Sequence, residues 1–389
     1  MWLWRSAFGN FRTIRRESAN GLPDPTTYLG FGGALLRFIN SRGRPMDGTL
    51  YFDVELATKK LSEVSTLARA ADGMGVGAVW ANEIRHDPFV QLALAAANSE
   101  RVRLGTAIAL AFTRSPMTLA YASWDIQNLS RGRLILGLGS QVKGHIERRF
   151  GMKWEPPVAR MREVIRALRS IWSAWQTGER LEFEGRFYKI NLMTSFFNPG
   201  PIEHPKIPIF LAGVNSRMCA LAGELCDGLH IHPLHTVRYV KERILSSVRE
   251  GLAKSGRGRG EIQLTASVFV ATGKNRAELR RAREECRRQV AFYASTRTYR
   301  GVLELQGWGD ACDRLHTKSV SGDWDHMSQE VSDEMLREFV LEGAWEELPG
   351  LIRDRYEGVL DRVRLYTPFD GSAGWAGLAR AFKKGSAQT

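Results

Sequence analysis

A chain of 389 residues with 43% hydrophobic content can bury one large α/β core or two ordinary ones. No apolar run in it approaches the ~20 residues that cross a bilayer, which argues against a membrane-spanning role. The net charge of +13 suggests nucleic acid, but its distribution does not. Residues 1–45 hold seven arginines against Glu17 and Asp24, a net +5 that leaves +8 on the rest. Arginine runs such as Arg280, Arg281, Arg283, Arg287 and Arg288 sit at helical spacing among Glu278, Glu284 and Glu285, the pattern of solvated helix faces. Cys219, Cys226, Cys286 and Cys312 have neither CxxC spacing nor the density of a disulfide scaffold, so reduced thiols and a cytoplasmic location are expected.

Residues 1–45, where Trp2, Trp4, Phe8 and Phe11 alternate with arginines before a Gly/Pro/Asn/Ser-rich stretch, have no sustained periodicity. They are expected to be a peripheral extension ahead of a natural start at Met46, with 46–389 a single domain. From Thr49 onward apolar runs alternate with amphipathic segments. Strands are predicted at Leu50–Val54, Val76–Trp80, Val102–Leu110, Arg133–Leu138, Ile207–Ala212, Asp227–His232, Ile262–Val270 and Arg362–Thr367. Helices are predicted at Ala57–Met74, Pro88–Asn98, Pro116–Asn128, Val158–Trp175, Ser216–Leu225, Val237–Leu252, Glu278–Thr296 and Glu346–Tyr356. Eight βα units can close into a (β/α)8 TIM barrel. Two insertions enlarge it. One holds an Arg180–Ile190 hairpin and a Pro-rich loop, and the other runs from Tyr299 to Gly343 with a helix start at Ser332-Asp333-Glu334. Either can serve as a lid, a specificity wall or a homodimer contact.

Parallel barrels place their chemistry at the carboxyl ends of the strands. The second strand closes on Asn82-Glu83-Ile84-Arg85-His86-Asp87-Pro88, where Glu83 and His86 are candidate proton carriers and Asp87-Pro88 is a helix start. The small residues of the third strand, around Ala107 and Ile108, let a planar group lie against it. The fourth strand ends Leu136-Gly137-Leu138-Gly139-Ser140-Gln141; Val142 stands where a dinucleotide fingerprint needs its third glycine, so this is not GxGxxG. Gly137 and Gly139 strip side chains from that end. After the fifth strand, Gly213-Val214-Asn215-Ser216 precedes a helix and exposes N–H groups suited to a phosphate. His230 and His232 share one face of the sixth strand, but no HExxH-type partner accompanies them and no metal is expected.

In this order the motifs resemble the luciferase-like monooxygenase superfamily over residues 48–370. They are Gly132-Arg133-Leu134 through Gly139-Ser140, Asp87-Pro88-Phe89, Arg114-Ser115-Pro116-Met117, His145–Gly151, Ala222-Gly223 and Asp227-Gly228. More narrowly they are similar to its actinobacterial branch of coenzyme F420-dependent oxidoreductases. The resemblance implies a luciferase-like TIM barrel with a deazaflavin ring facing Glu83, Ala107, Ile108, Gly139 and Ser140. It implies a phosphate at Gly213, Val214, Asn215 and Ser216, and a non-proline cis peptide bond at Ala107-Ile108. Two positions depart from the pattern: Ile84 follows Glu83 where a histidine is usual, and Gln141 follows the glycines where a carboxylate is usual. Glu83, His86 and Glu147 are therefore all candidates for the proton relay. The expected function is hydride transfer between coenzyme F420 and a small organic substrate. An FMN-dependent monooxygenase, a metal-dependent hydrolase built on the HxH strand and a non-catalytic deazaflavin-binding protein are the alternatives.

Overall fold

In the computed structural model, which describes residues 50–385, the sustained βα rhythm closes on itself. The barrel strands are β1 (Tyr51–Leu56), β2 (Ala78–Ala81), β3 (Arg103–Thr106), β4 (Leu134–Gly139), β5 (Ile209–Gly213), β6 (Gly228–Ile231), β7 (Gln263–Ala271) and β8 (Arg362–Leu365). Each pairs in parallel with the next, and β8 returns to β1 through Tyr51↔Arg362 and Asp53↔Arg364. This is the closed eight-stranded parallel barrel expected from the sequence. The extension expected at residues 1–45 lies outside the described residues. No described helix is long and apolar enough to cross a membrane.

The principal helices are α1 (Val64–Met74), α2 (Pro88–Ala97), α3 (Pro116–Leu129), α4 (Pro157–Thr177), α5 (Ser216–Leu225), α6 (Leu245–Lys254), α7 (Arg276–Ala294) and α8 (Leu348–Tyr356). Two differ from the sequence expectation for local reasons. α1 begins later than Ala57 because the Thr58 hydroxyl accepts the Lys60 N–H at 3.1 Å, a turn that competes with helix. The segment predicted as Val237–Leu252 is divided by an over-wide turn at Val240–Ile244. Its two ends are pinned independently, the Tyr239 hydroxyl to the Val214 carbonyl and Gly251 against the Ala220 carbonyl. The first insertion forms a hairpin of Phe183–Glu184 and Lys189–Ile190, whose turn N–H groups at Arg186 and Phe187 donate to Glu163. In the second, Ser332 caps the helix Asp333–Phe339, and Val340–Glu342 adds a strand beside β7.

Side chains two apart on a strand share a face, and those facing inward fill the lumen. Asp53 and Glu55 of β1 meet Arg362 and Arg364 of β8. Asp53 accepts from Arg362 Nε and Nη2 at 2.7 Å each and from Trp80 Nε1 at 2.9 Å, with both ions almost fully buried. Glu55 accepts from Asn82 at 2.7 Å and lies 3.7 Å from Arg364. Trp80, Phe210 and His230 occupy the middle, with the His230 ring edge-on to Trp80 at 4.8 Å. The Thr106 carbonyl faces His230 without reaching hydrogen-bond geometry, and both ring nitrogens are buried without a partner. Burial, reinforced by the Arg364 charge, pushes its pKa well below the ordinary range. His235, buried against Tyr356, is lowered to about 4, chiefly by burial.

Replacing Asp53 by alanine strands the Arg362 guanidinium inside the lumen, and the expected loss of unfolding free energy is about 3–5 kcal/mol. Urea denaturation would measure it, and a loss under about 1 kcal/mol would show that the pair does not hold the seam. The histidines set a second expectation. Their folded-state pKa values lie below the unfolded value of about 6.5, so the unfolded chain binds more protons as pH falls beneath that value. The stability they contribute is complete above pH ~6.5 and declines toward pH ~4, by up to roughly 1.4 kcal/mol per pH unit for each buried ring. Urea midpoints at pH 7.5 and 5.5 should differ accordingly, and His230→Gln should reduce the difference; an equal difference in the variant would contradict this assignment.

Candidate active site

At the carboxyl end of the barrel β3 is interrupted. Ladder pairing stops at Thr106 and resumes at Ala109–Leu110, which pairs with Leu138 and Gly139 of β4. The Ala107-Ile108 peptide bond between them is cis, as the resemblance implied. Ala107 and Ile108 are partly exposed in an otherwise buried run, so they form the floor of the mouth on this side. Gly139 is what lets Ile108 lie there: a Cβ on it would fall 1.8 Å from Ile108 Cδ1. Gly137 has a different role from the one its position in the motif suggested. It is enclosed one layer lower, where a Cβ would meet the Thr106 carbonyl at 1.8 Å and His230 Nε2 at 2.7 Å, so it makes room for the lumen rather than for a ligand. Beyond β4 the chain turns through Ser140, half-buried, and Gln141, which adopts a left-handed φ of 56°.

The interrupted strand is held from outside by Glu83. Its carboxylate accepts the Leu110 N–H at 2.8 Å and pairs with Arg114 Nη1 at 2.7 and 2.8 Å. Arg114 also reaches Asp87 at 2.5 Å, and those two acids hold its pKa up against the effect of burial. Asp87 itself caps α2, accepting from Phe89 and Val90 N–H with Pro88 in the first turn. Both carboxylate oxygens of Glu83 are thus engaged in hydrogen bonds. His86 lies 3.2 Å from the Lys59 carbonyl, and Glu147 is exposed, 3.9 Å from Lys143. No hydrogen bond or ion pair joins any two of Glu83, His86 and Glu147, although Arg149 donates to the Ile84 carbonyl at 3.0 Å and so ties the two loops together.

At the end of β5 the backbone turns at Gly213-Val214 and enters α5. Asn215 stands at the N-cap position without a side-chain hydrogen bond to the helix, and Asn215 and Ser216 are exposed. The first N–H groups of α5 are thus offered at the rim with the positive end of the helix dipole. Gly213 is packed, since a Cβ there would meet Leu229 Cδ1 at 3.0 Å and Cys219 Sγ at 3.2 Å.

Another part of the rim joins His232, which the sequence reading weighed as half of an HxH pair, to three tyrosines that it did not single out. His232 follows β6, Tyr366 follows β8, and Tyr293 and Tyr299 come from α7 and the segment after it; all four are partly exposed. His232 stacks on Tyr299 at 4.2 Å and meets the edge of Tyr293 at 4.6 Å, while the Tyr293 and Tyr366 hydroxyls are hydrogen-bonded to each other. Leu234 N–H donates to His232 Nδ1 at 3.1 Å, which puts the ring proton of the neutral form on Nε2. Burial lowers the His232 pKa to about 3 and raises those of Tyr293, Tyr299 and Tyr366. Among the described residues no group of three or more His, Cys, Asp or Glu is placed to hold a metal ion. The signal for this rim was the continued period of two past the strand ends, His230-x-His232 and Arg362-x-Arg364-x-Tyr366.

Comparison with known proteins agrees with this architecture. A protein of Mycobacterium tuberculosis described as uncharacterized is 46% identical over 303 residues, covering 76% of this chain and 89% of that one. The 5,10-methylenetetrahydromethanopterin reductase of Archaeoglobus fulgidus is 28% identical over 291 residues, covering 73% and 83%. The solved coenzyme F420-dependent tetrahydromethanopterin reductase of Methanopyrus kandleri superposes with a TM-score of 0.70 at 19% identity, over 86% of this chain and 97% of that one, and so shares the fold. The model of the luciferase-like monooxygenase family matches residues 38–362, and the chain belongs to that family.

Proposed function

We propose that this protein is an oxidoreductase that moves a hydride between coenzyme F420 and a small organic substrate at the carboxyl end of its barrel. The observation that carries the reading is the wall built by Ala107, Ile108 and Gly139, a low apolar surface held in place by Glu83, beside a helix N-terminus free to receive an anion. These residues fit a planar, phosphate-bearing group. The small side chains leave the wall flat, and the donor set at Ser216 consists of N–H groups, which suit phosphate oxygens. The resemblance of the chain to a putative coenzyme F420-dependent oxidoreductase of Mycobacterium tuberculosis supports F420 as that group. An FMN-dependent monooxygenase is the second reading, favoured by the description of the family itself.

When bound, the deazaflavin supplies the carbon centre that gives or accepts the hydride. The protein supplies orientation. Ile108 and the backbone around Gly139 and Ser140 would hold the ring, and the first turn of α5 would hold its phosphate. The filled lumen beneath, with Trp80 and Phe210 at its centre, keeps water from approaching through the barrel. Glu83 keeps Leu110 and Arg114 in place behind that wall rather than carrying the proton.

Titration of the purified protein with F420 and with FMN separates the two readings, and binding of neither would overturn both. Ser216→Asp puts a carboxylate at the helix N-terminus, where it favours the helix and repels a phosphate, so the fold should survive while F420 affinity falls about tenfold, roughly 1.4 kcal/mol. Unchanged affinity in that variant would remove the α5 loop from the site. Gly213 is less suitable for the test because a side chain there would press on Leu229 and Cys219 as well as on the anion site.

If Glu83 positions the wall, Glu83→Gln should lower thermal stability, by about 1.5–3 kcal/mol, and weaken F420 binding in parallel. A variant with unaltered stability and F420 affinity but abolished turnover would instead identify Glu83 as a proton carrier.

A further inference from the structure

In an eight-stranded barrel the third and seventh strands face each other across the axis. The wall at Ala107 and Ile108 is therefore opposed by what stands on and around β7: Phe269 at its end, Tyr293 above it, His232 from β6 on one side and Tyr366 from β8 on the other. These side chains form one continuous surface. Phe269 lies beneath, its ring edge-on to Tyr366 at 5.1 Å; Tyr366 is edge-on to Tyr293 at 6.1 Å, and Tyr293 to His232 at 4.6 Å. Phe269 is buried, whereas the other three remain partly exposed at the mouth, so the layer toward solvent is the one that carries the polar atoms.

We propose that His232, Tyr293 and Tyr366 form the substrate subsite, and that it takes a planar organic compound through an uncharged carbonyl oxygen. The inference rests on the reading of the opposite wall as the cofactor side. Its chemistry follows from the atoms present. In the hydroxyl pair one O–H is used within the pair, which leaves the other to donate outward. The His232 proton sits on Nε2 because Nδ1 is already an acceptor. At neutral pH both donors are uncharged, the imidazole because burial lowers its pKa and the phenols because burial raises theirs. The charged groups nearest below are Glu55 and Arg364. Glu55 raises the pKa of both Tyr293 and Tyr366, so the field at the hydroxyl pair is that of an acid and disfavours an anion. Arg364 is turned toward Glu55, Thr265 and the face of Trp80. The subsite therefore offers neutral donors, aromatic edges and faces, and a negative background. A carboxylate or phosphate would lose hydration there without gaining a counter-ion, whereas a neutral C=O on a flat framework can accept a hydrogen bond and stack.

The test uses the full chain, with acetophenone as a neutral planar carbonyl probe and benzoate as its anionic counterpart, each titrated by calorimetry or by saturation-transfer NMR. Acetophenone should bind more tightly than benzoate. In the Tyr293→Phe/Tyr366→Phe variant, which keeps both rings, its affinity should fall about fivefold, while F420 affinity measured in a separate titration stays unchanged. If that variant does not fold, as judged by near-ultraviolet circular dichroism, His232→Phe, which keeps a ring and removes the Nε2 donor, carries the same expectation. Equal acetophenone affinity in parent and variant, or benzoate binding as tight as acetophenone, would overturn the proposal. A parent protein that binds acetophenone as described but not F420 would overturn the cofactor reading and leave the carbonyl-accepting recess standing.

Discussion

The ion pair of Asp53 with Arg362 is the constraint around which the barrel is arranged. A closed barrel has to fill its interior, and a charge placed there has to find its counter-charge within the same layer. Here both acids, Asp53 and Glu55, stand on β1 and both bases, Arg362 and Arg364, on β8, the two strands that meet at the closing seam. The charges thus balance locally, and the pairing joins the first strand to the last. Beside that pair, β2, β4 and β5 fill the middle of the lumen with Trp80, Ile135 and Phe210. Glycines opposite the large rings make this possible: a Cβ on Gly105 would lie 2.3 Å from Trp80, and one on Gly228 2.5 Å from Phe210. At the level of Trp80, Ile135 and Phe210 the lumen is therefore apolar toward β2, β4 and β5, while Arg103 of β3, its pKa lowered to about 10 chiefly by burial and then by the Arg362 charge, adds a base below that layer.

A second consequence follows on the apolar side. Because β3 leaves its ladder at Thr106, the residues that follow need another source of hydrogen bonds, and Glu83 provides one for Leu110 N–H. The same carboxylate fixes Arg114, which in turn reaches Asp87 at the start of α2. The helix start, the interrupted strand and the loop after β2 are in this way one charged cluster. Its location outside the wall explains how a floor of Ala107 and Ile108 can remain apolar toward the mouth while acids and a base lie immediately behind it.

The fold was legible because its signals are local. Eight apolar runs and the intervening amphipathic segments announced the barrel within a residue or two at most boundaries, and the Asp87-Pro88 and Ser332-Asp333 starts were capped as expected. Departures arose where a side chain or a neighbouring element overrode periodicity, as Thr58 does before α1 and the divided helix does after β6. The site was legible only in part. Ala107, Ile108 and Gly139 could be read from small residues on a strand, but the role of Gly137 could not, since its tight neighbours, Thr106 and His230, come from β3 and β6. Glu83 was recognisable as a carboxylate at the mouth. Its engagement depends on Arg114, 31 residues away, which no spacing rule connects to it. Tyr293 and Tyr299 come from the helix after β7 and the segment beyond it, where helical patterning conceals which residue reaches the axis.

The two departures from the family pattern gain a common physical meaning in this arrangement. With Ile84 exposed where a histidine is usual, and Gln141 turned into a left-handed bend where a carboxylate is usual, neither position brings a proton carrier to the β2–β4 side. Of the carboxylates there, Glu83 has its oxygens taken by Leu110 and Arg114, Asp87 caps α2 and reaches Arg114, and Glu147 is exposed beside Lys143. Other groups with exchangeable protons stand after β6, after β8 and on α7, where His232 has a defined tautomer and the Tyr293 and Tyr366 hydroxyls are bonded to each other. In the proposed reaction a ring lying on the apolar wall would cover one face of the substrate, leaving its other side open to donors across the axis. A barrel with its apolar wall on one side and its neutral donors on the other would suit the proposed reaction without a free acid at that wall.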